Sequence, residues 1–263
     1  MTVTELKIID DRQVFASFTT RQTTAYERRE ALAREAEGFG GAVVWPHLVH
    51  GTDIAVVGEE SLDKGLIVFE DHDGAVTCVP GIALTVTCGD CLPVYAWDPV
   101  HRAIGLVHAG WRGTLAGISA EMVRVMGREY GSRPEDLQVR IGPGIDACCF
   151  EVKEDCYDLF LDKYPWAEDY MYRRPGGSFT LDLKGINLEI LTLCGVEDAL
   201  ASDRCTCCEE DVFYSWRGRR EKDRMLAYIY IKEEGTEKLI TFNYGLFKTY
   251  EYPEEFKDLS WMV

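Results

Sequence analysis

Three side chains that are typical zinc ligands, His50, Cys91 and His108, each lie at the end of a predicted strand. Two imidazole nitrogens, one thiolate and an open position form a common arrangement for catalytic zinc. A zinc ion there would hold Cys91 as a thiolate and lower the pKa of a bound water towards ~7. The chain contains ten cysteines and five histidines, so some such triple is easily found, and histidines packed at strand ends are the alternative.

The turn that follows His108 predicts an anion site beside these ligands. It reads Gly110-Trp-Arg-Gly-Thr114 and leads into a predicted helix. Glycines allow a ligand to approach the backbone closely, and a helix start offers free N–H groups. The guanidinium fork of Arg112 matches the oxygens of a phosphate. We therefore predict Arg112 as a phosphate ligand.

Composition restricts the class of protein. The 263 residues are 46% hydrophobic and 28% charged, which is typical of a globular protein, and no linker or repeat divides them. We predict a single domain over residues 1–263. The net charge of −17 argues against nucleic acid as a partner and requires a locally positive pocket for any anionic substrate.

Residues 1–12 carry no apolar run of the kind found in signal peptides, and no segment reaches the ~18 apolar residues of a membrane span. We expect a cytoplasmic protein without a membrane partner. In that compartment the cysteines are predicted to be thiols or metal ligands rather than disulfides.

Strands outnumber helices among the predicted elements. The predicted strands cover 13–20, 42–51, 53–57, 75–79, 83–87, 93–97, 103–107, 137–141, 211–216, 225–232 and 239–242. The predicted helices cover 24–37, 114–130, 151–164 and 183–194, the last with Asp182 as N-cap and Gly195 at its end. Short turns between so many strands indicate an α/β protein with mixed or stacked sheets covered by helices, not a doubly wound parallel sheet.

Four motifs in this chain together resemble one known family. They are Val49-His50-Gly51, Asp90-Cys-Leu-Pro93, His108-Ala-Gly-Trp-Arg-Gly113, and Ile141-Gly-Pro-Gly-Ile145 followed by Cys148-Cys-Phe-Glu-Val152. Over about residues 14–232 the sequence resembles the YfiH-type laccase-domain or polyphenol oxidase family. The family's Ser-Tyr-Arg motif is Ser215-Trp-Arg217 here, a change that bears on substrate preference and not on the metal ligands.

The resemblance implies a four-layer α/β/β/α fold and one zinc ion per chain, held by His50, Cys91 and His108. It implies phosphorolysis of adenosine, inosine or methylthioadenosine as the first activity, with nucleoside and phosphate as partners, and deamination of adenosine as the second. A positioned phosphate would attack the anomeric carbon while the ribose gains oxocarbenium character.

Roles for further residues follow as hypotheses. Asp90 is predicted to act in catalysis with Cys91 and His108, by orienting an imidazole or moving protons. The predicted contacts to substrate or phosphate are Arg112, Arg217 and Asp73. A surface ion pair is an equal alternative for Arg217, and proton transfer is an alternative for Asp73.

Three other functions are compatible with the same residues. Cys91 with His108 or His50 as its base would make a cysteine hydrolase. Copper at the same three ligands would give weak laccase-like oxidation, although five histidines without a His-x-His pair cannot supply several copper centres. A non-catalytic binding protein is the third alternative. The classical zinc deaminase signature is absent, so deamination would use a different scaffold.

The remaining cysteines are predicted to be unliganded thiols. Redox use of Cys88 and Cys91 as a Cys-x-x-Cys pair would need a following helix, whereas Pro93 leads into a predicted strand. The pair Cys148-Cys149 is predicted to pack near the site. Four late cysteines lack a second Cys-x-x-Cys spacing, which favours free thiols over a zinc knot: Cys194, Cys205, Cys207 and Cys208.

Overall fold

The computed structural model describes residues 4–38 and 40–232, so the strand predicted at 239–242 lies outside the described residues. The strands are β1 (Glu5–Asp10), β2 (Val14–Thr19), β3 (Ala42–Pro46), β4 (Ile54–Val56), β5 (Gly65–Phe69), β6 (Gly74–Thr77), β7 (Ile82–Cys88), β8 (Leu92–Asp98), β9 (Ala103–Ala109), β10 (Gln138–Ile141), β11 (Glu151–Val152), β12 (Met171–Arg173), β13 (Phe179–Leu181), β14 (Asp198–Ala201) and β15 (Met225–Ile231). The α-helices are α1 (Ala25–Glu37), α2 (Trp111–Ala116), α3 (Ile118–Tyr130), α4 (Glu154–Lys163), α5 (Leu183–Leu193) and α6 (Trp216–Arg219). None of the helices in this part of the chain has the length and apolar character needed to cross a membrane.

Two six-stranded sheets and one three-stranded sheet contain these strands. The first sheet has the order β1-β2-β15-β7-β3-β5 and the second the order β14-β10-β8-β9-β6-β4, while β11, β13 and β12 form the small sheet. Both large sheets are mixed. In the first, β3 is parallel to β7, which is antiparallel to β15; in the second, β4 is parallel to β6, which is antiparallel to β9. The sheets are therefore mixed, as predicted.

The first large sheet is covered on both faces. Leu32 of α1 packs against Val43 and Leu226 on its outer face. The capping box that Thr24 forms with Glu27 starts this helix at the predicted position. The inner face of the sheet packs against the second sheet, and the cluster between them contains large aromatic side chains: Phe18, Tyr95, Trp97 and Phe213.

Helices cover the far side of the second sheet. Met122 of α3 and Ile190 of α5 lie in one buried cluster with Val107 of β9. Both β8 and β9 are buried at every residue, because a helix layer lies on one face and the first sheet on the other. Strands of this kind are continuous apolar runs in sequence. The order of layers is helix, sheet, sheet, helix, which confirms the expected α/β/β/α architecture.

Four of the predicted elements differ in the structure. The strand predicted over 42–51 ends at Pro46, and residues 47–51, which contain His50, form a loop. The helix predicted over 114–130 is two helices, because Gly117 takes a left-handed conformation with φ of 96° between them. The helix predicted from 151 begins at Glu154, because the two residues of β11 pair with β13 instead. The strand predicted at 211–216 is wrong. This segment is irregular, and the Ser215 hydroxyl accepts the Gly218 N–H to cap α6.

Candidate metal centre

The three predicted ligands lie at one end of the two large sheets, one of them in a strand and two in loops. His108 is the next-to-last residue of β9, and Cys91 lies in the turn from β7 to β8. The pairing of Pro93 with His108 places Cys91 beside the end of β9. His50 lies in the loop between β3 and β4, with a left-handed backbone φ of 62°. Strands of both sheets thus contribute to one site.

The donor atoms of His50, Cys91 and His108 all lie within 4.8 Å of one another. The Sγ atom of Cys91 is 4.0 Å from Nε2 of His50, and the two imidazole rings meet edge to face with centroids 4.9 Å apart. Tetrahedral zinc would separate a sulfur from a nitrogen by about 3.6 Å, given its usual bond lengths. Cys91 and His50 would therefore fit a shared metal ion after a contraction of a few tenths of an ångström, and the donor atom of His108 lies close enough to complete the set.

Asp73 fixes two of these ligands at once. Its Oδ1 lies 3.0 Å from Nδ1 of His108 and accepts the N–H of His50 at 2.9 Å. Its Oδ2 accepts the N–H groups of Gly51 at 2.7 Å and Val49 at 3.1 Å. A carboxylate bonded to Nδ1 directs the Nε2 of an imidazole towards a metal. Asp73 is 0% exposed, and its contacts position the two ligands; the predicted contact with substrate stays a prediction.

Electrostatics favour an ionised pair in the metal-free protein. Burial by itself would raise the pKa of Cys91, but the charges and hydrogen bonds of His108 and His50 lower it to about 6. Burial likewise opposes charge on His108, yet Cys91 and Asp73 raise the pKa of that imidazole to about 9. At neutral pH the pair is therefore a thiolate beside an imidazolium.

Asp90 supports the same site from the other side. Its Oδ1 accepts the hydroxyls of Thr206 and Ser215, both at 2.8 Å, and its Oδ2 accepts the Arg217 N–H at 2.6 Å. Burial nevertheless raises the pKa of Asp90. These contacts replace the imidazole contact that was predicted for this carboxylate. Asp90 connects the neighbouring residue Cys91 to the loop that carries Arg217.

The two predicted phosphate contacts are exposed cations. Among the described residues no carboxylate pairs with Arg112, whose guanidinium lies 4.3 Å from the centre of the Trp111 ring. The Nη1 of Arg217 donates to the carbonyl oxygen of Glu151 at 2.5 Å, so Arg217 makes a backbone contact and not the alternative ion pair. Burial raises the pKa of Cys156 to about 11, and the charges of Arg217 and Arg112 both act to lower it, so both cations lie near that thiol.

Gly110 leaves the space in which the ligands meet. A β-carbon at this position would lie 3.0 Å from both Sγ of Cys91 and Cδ2 of His50. Ordinary van der Waals contacts of a β-carbon begin at about 3.4 Å. A β-carbon would therefore push these two side chains away by a few tenths of an ångström. The backbone φ of −75° is accessible to any residue, so the reason for glycine here is space and not conformation.

The chain is similar to known proteins both in sequence and in structure. A family model described as multi-copper polyphenol oxidoreductase laccase matches residues 17–232. A Geobacillus stearothermophilus protein named purine nucleoside phosphorylase YlmD is 37% identical over 196 residues, which cover 72% of each chain. A protein of an unknown prokaryotic organism, named adenosine deaminase RL5, is 31% identical over 182 residues, 66% of this chain and 69% of the relative. The crystal structure of the Bacillus licheniformis hypothetical protein YfiH matches with a TM-score of 0.78 at 28% identity, covering 88% of this chain and 97% of the other.

Proposed function

The chain belongs to the family described as multi-copper polyphenol oxidoreductase laccase, the YfiH-type laccase-domain family, and we propose that it is a zinc-dependent purine nucleoside phosphorylase. In this reaction an oxygen of phosphate bonds to the anomeric carbon of the nucleoside as the bond to the purine breaks. The products are the free base and ribose 1-phosphate. The observation that carries the proposal is the convergence of His50, Cys91 and His108 within 4.8 Å in a chain 37% identical to a protein of that name.

In this proposal each residue of the site has a separate role. Zinc, when bound by His50, Cys91 and His108, supplies a Lewis acid next to the substrate. Asp73 keeps the Nε2 of His108 directed inward through the 3.0 Å contact at Nδ1. Arg112 donates the two N–H groups of its guanidinium fork to phosphate oxygens and gives a local positive charge in a protein of net charge −17. The buried Asp90 positions the Arg217 backbone through the 2.6 Å contact at its Oδ2, and its part in proton transfer stays a prediction.

Deamination of adenosine is the second candidate activity. In that reaction water replaces the amine on the purine ring and ammonia leaves. The relative named adenosine deaminase RL5 supports this candidate, and the same donor set would serve it, because a metal ion can also activate water. The two reactions differ in their need for phosphate, which makes them separable in one assay.

Two alternatives use the same side chains differently. Cys91, with a pKa of about 6, and His108 also form the ion pair that a cysteine hydrolase requires. The second alternative is oxidation at several copper centres, and the chain has too few histidine ligands for it. His47 and His72 contact Glu70, and His101 contacts Asp98. Only two of the five histidines therefore belong to the candidate centre.

The test uses purified full-length protein of measured zinc content, incubated with adenosine with and without phosphate. We expect adenine and ribose 1-phosphate only when phosphate is present, whereas inosine formed without phosphate would report deamination. Cys91→Ser should abolish both, and Cys194→Ser, which changes a half-buried thiol outside the site, should abolish neither. Intact adenosine after prolonged incubation with zinc-loaded protein would reject the proposal. Turnover that survives verified metal removal would favour the thiol mechanism.

A further inference from the structure

A second group of sulfur atoms lies outside the candidate metal centre. The Sγ atoms of Cys148, Cys149, Cys205 and Cys208 all lie within 4.8 Å of one another. The distance is 3.7 Å between Cys148 and Cys149, 3.5 Å between Cys148 and Cys208, and 3.3 Å between Cys149 and Cys208. Of the four late cysteines predicted to be free thiols, Cys205 and Cys208 belong to this group together with Cys148 and Cys149, whereas Cys194 and Cys207 do not.

The spacing of these sulfurs identifies the kind of site. A disulfide would hold two sulfurs about 2.05 Å apart, and all four cysteines are free thiols. Four thiolates around tetrahedral zinc, with Zn–S bonds of about 2.3 Å, lie about 3.8 Å from one another. We propose that Cys148, Cys149, Cys205 and Cys208 bind a structural zinc ion, separate from the centre at Cys91. Four protein ligands leave no open position, so this ion has no part in the chemistry of the substrate.

The backbone around the four cysteines is held in place by contacts that do not depend on a metal. Gly144 and Cys205 form a parallel β-bridge, and the Thr206 N–H donates to the Gly144 carbonyl at 3.1 Å. The side chain of Lys184 is 0% exposed and lies between the two cysteine-bearing segments. Its ammonium pairs with Asp146 at 2.9 Å and donates to the carbonyl oxygen of Arg204, also at 2.9 Å.

This scaffold also makes the sulfurs better metal ligands. The Asp146 N–H donates to the Sγ of Cys205 at 3.5 Å. Backbone N–H groups that donate to a ligand sulfur orient it and stabilise its negative charge. Because the scaffold sets the segments side by side before metal arrives, less conformational freedom remains to be lost on binding.

The proposed zinc ion would stabilise one wall of the candidate active site. Thr206 lies between two of the ligand cysteines, and its hydroxyl holds Asp90 at 2.8 Å. The carbonyl oxygen of Cys207, in the same loop, accepts from Arg219 of α6. Loss of this ion should therefore loosen Asp90 and the Arg217 loop, while His50, Cys91 and His108 remain able to bind their own metal.

The stoichiometry of zinc in the full chain, purified under reducing conditions and measured by elemental mass spectrometry, tests the proposal without reference to activity. We expect about two zinc ions per chain, one for each site. The double variant Cys148→Ser, Cys208→Ser should retain about one, and so should Cys91→Ser. The control is Cys194→Ser, which removes a half-buried thiol outside both groups of ligands and should retain about two.

A second measurement does not depend on the double variant, which could lose zinc because it misfolds. The Cys91→Ser protein, with its four clustered cysteines intact, is loaded with cobalt and its absorption recorded. We expect one cobalt ion per chain, with thiolate-to-cobalt charge transfer and the visible bands of a tetrahedral ion. Wild-type protein that binds one zinc ion, lost entirely in Cys91→Ser, would overturn the proposal. A disulfide among the four cysteines in freshly purified protein would overturn it as well.

Discussion

Replacing Asp73 by Asn removes a negative charge while it preserves the size of the side chain. The carboxylate accepts four hydrogen bonds, two at each oxygen, from His108 and from the backbone of residues 49–51. An amide has only one accepting oxygen. Whichever way the amide turns, two donors that shared the other oxygen then face an NH₂ group. The variant therefore loses the fixed position of the His50 loop or that of the His108 ring.

The magnitude follows from these contacts. A buried donor that loses its partner costs about 1–3 kcal/mol, and water can reach the partly exposed loop, so we expect unfolding of the metal-free protein to become easier by about 2–4 kcal/mol. Loss of an outer-shell partner of a metal ligand typically costs 10–100-fold in metal affinity. We expect the zinc Kd of the centre at Cys91 to rise by about that factor, which corresponds to roughly 1.4–2.7 kcal/mol.

The chain contains a matched control at the opposite end of the same sheet. Asp98 is also 0% exposed, and it binds the His101 ring at 2.9 Å and the N–H groups of Val100 and His101. It ends β8, about 20 Å from the start of that strand near Cys91. Asp98→Asn should therefore lower stability by a similar amount and leave the zinc Kd unchanged.

The assay is a competition between protein and a chromophoric chelator for zinc, with denaturant unfolding of the metal-free proteins measured in parallel. Both variants are prepared in the Cys148→Ser, Cys208→Ser background, so that a single site binds metal. Equal zinc affinities for Asp73→Asn and Asp98→Asn, at equal losses of stability, would show that Asp73 only supports the fold.

Three further predictions concern the same centre. In the metal-free protein the lowered pKa of Cys91 means that its thiolate persists down to about pH 6. The rate of iodoacetamide labelling of Cys91, followed by peptide mass spectrometry, should therefore have its pH midpoint near 6. A midpoint near the usual thiol pKa of ~8.5 would contradict the ion pair. Arg112→Ala should raise the KM for phosphate by about 10–100-fold, because the free energy of a charge-assisted hydrogen bond is lost, while the zinc content stays unchanged. Loss of zinc in this variant would make Arg112 a structural residue. Gly110→Ala should lower zinc content, because its β-carbon would lie 3.0 Å from two ligands, while melting of the metal-free protein changes little; full zinc retention would refute the steric argument.

The sequence carried most information where a segment is buried on both faces or ends at a special turn. Strands β7, β8 and β9 are apolar runs. Cys91 lies in the turn between β7 and β8, and His108 lies at the end of β9. The capping box at Thr24 is likewise local. By contrast, β1 lies at the edge of its sheet and alternates between buried and half-buried residues. Its polar and acidic residues therefore do not form an apolar run, and this strand was not predicted from the sequence.

The contacts that could not be predicted depend on pairing between distant segments. Asp73 reaches His108 because β6 pairs with β9 in a register that places Gly74 opposite Val107, and no local pattern specifies that register. The four clustered cysteines come from two segments that meet at the single bridge between Gly144 and Cys205. Spacing rules for zinc sites detect ligands within one segment, so they missed a set divided between two.

The position of β15 has a consequence for how the molecule is made. This strand contains the last described residues of the sheet, yet it lies between β2 and β7 and connects the hairpin of β1 and β2 to the remaining strands. During synthesis, which proceeds from the N-terminus, the hairpin of residues 5–19 has no neighbour in its sheet until residues 225–231 leave the ribosome. Strands β1 and β2 are translated before the other strands of this sheet, yet they are among the last to reach their final partners. A nascent chain that stops short of β15 leaves the facing edges of β2 and β7 unpaired.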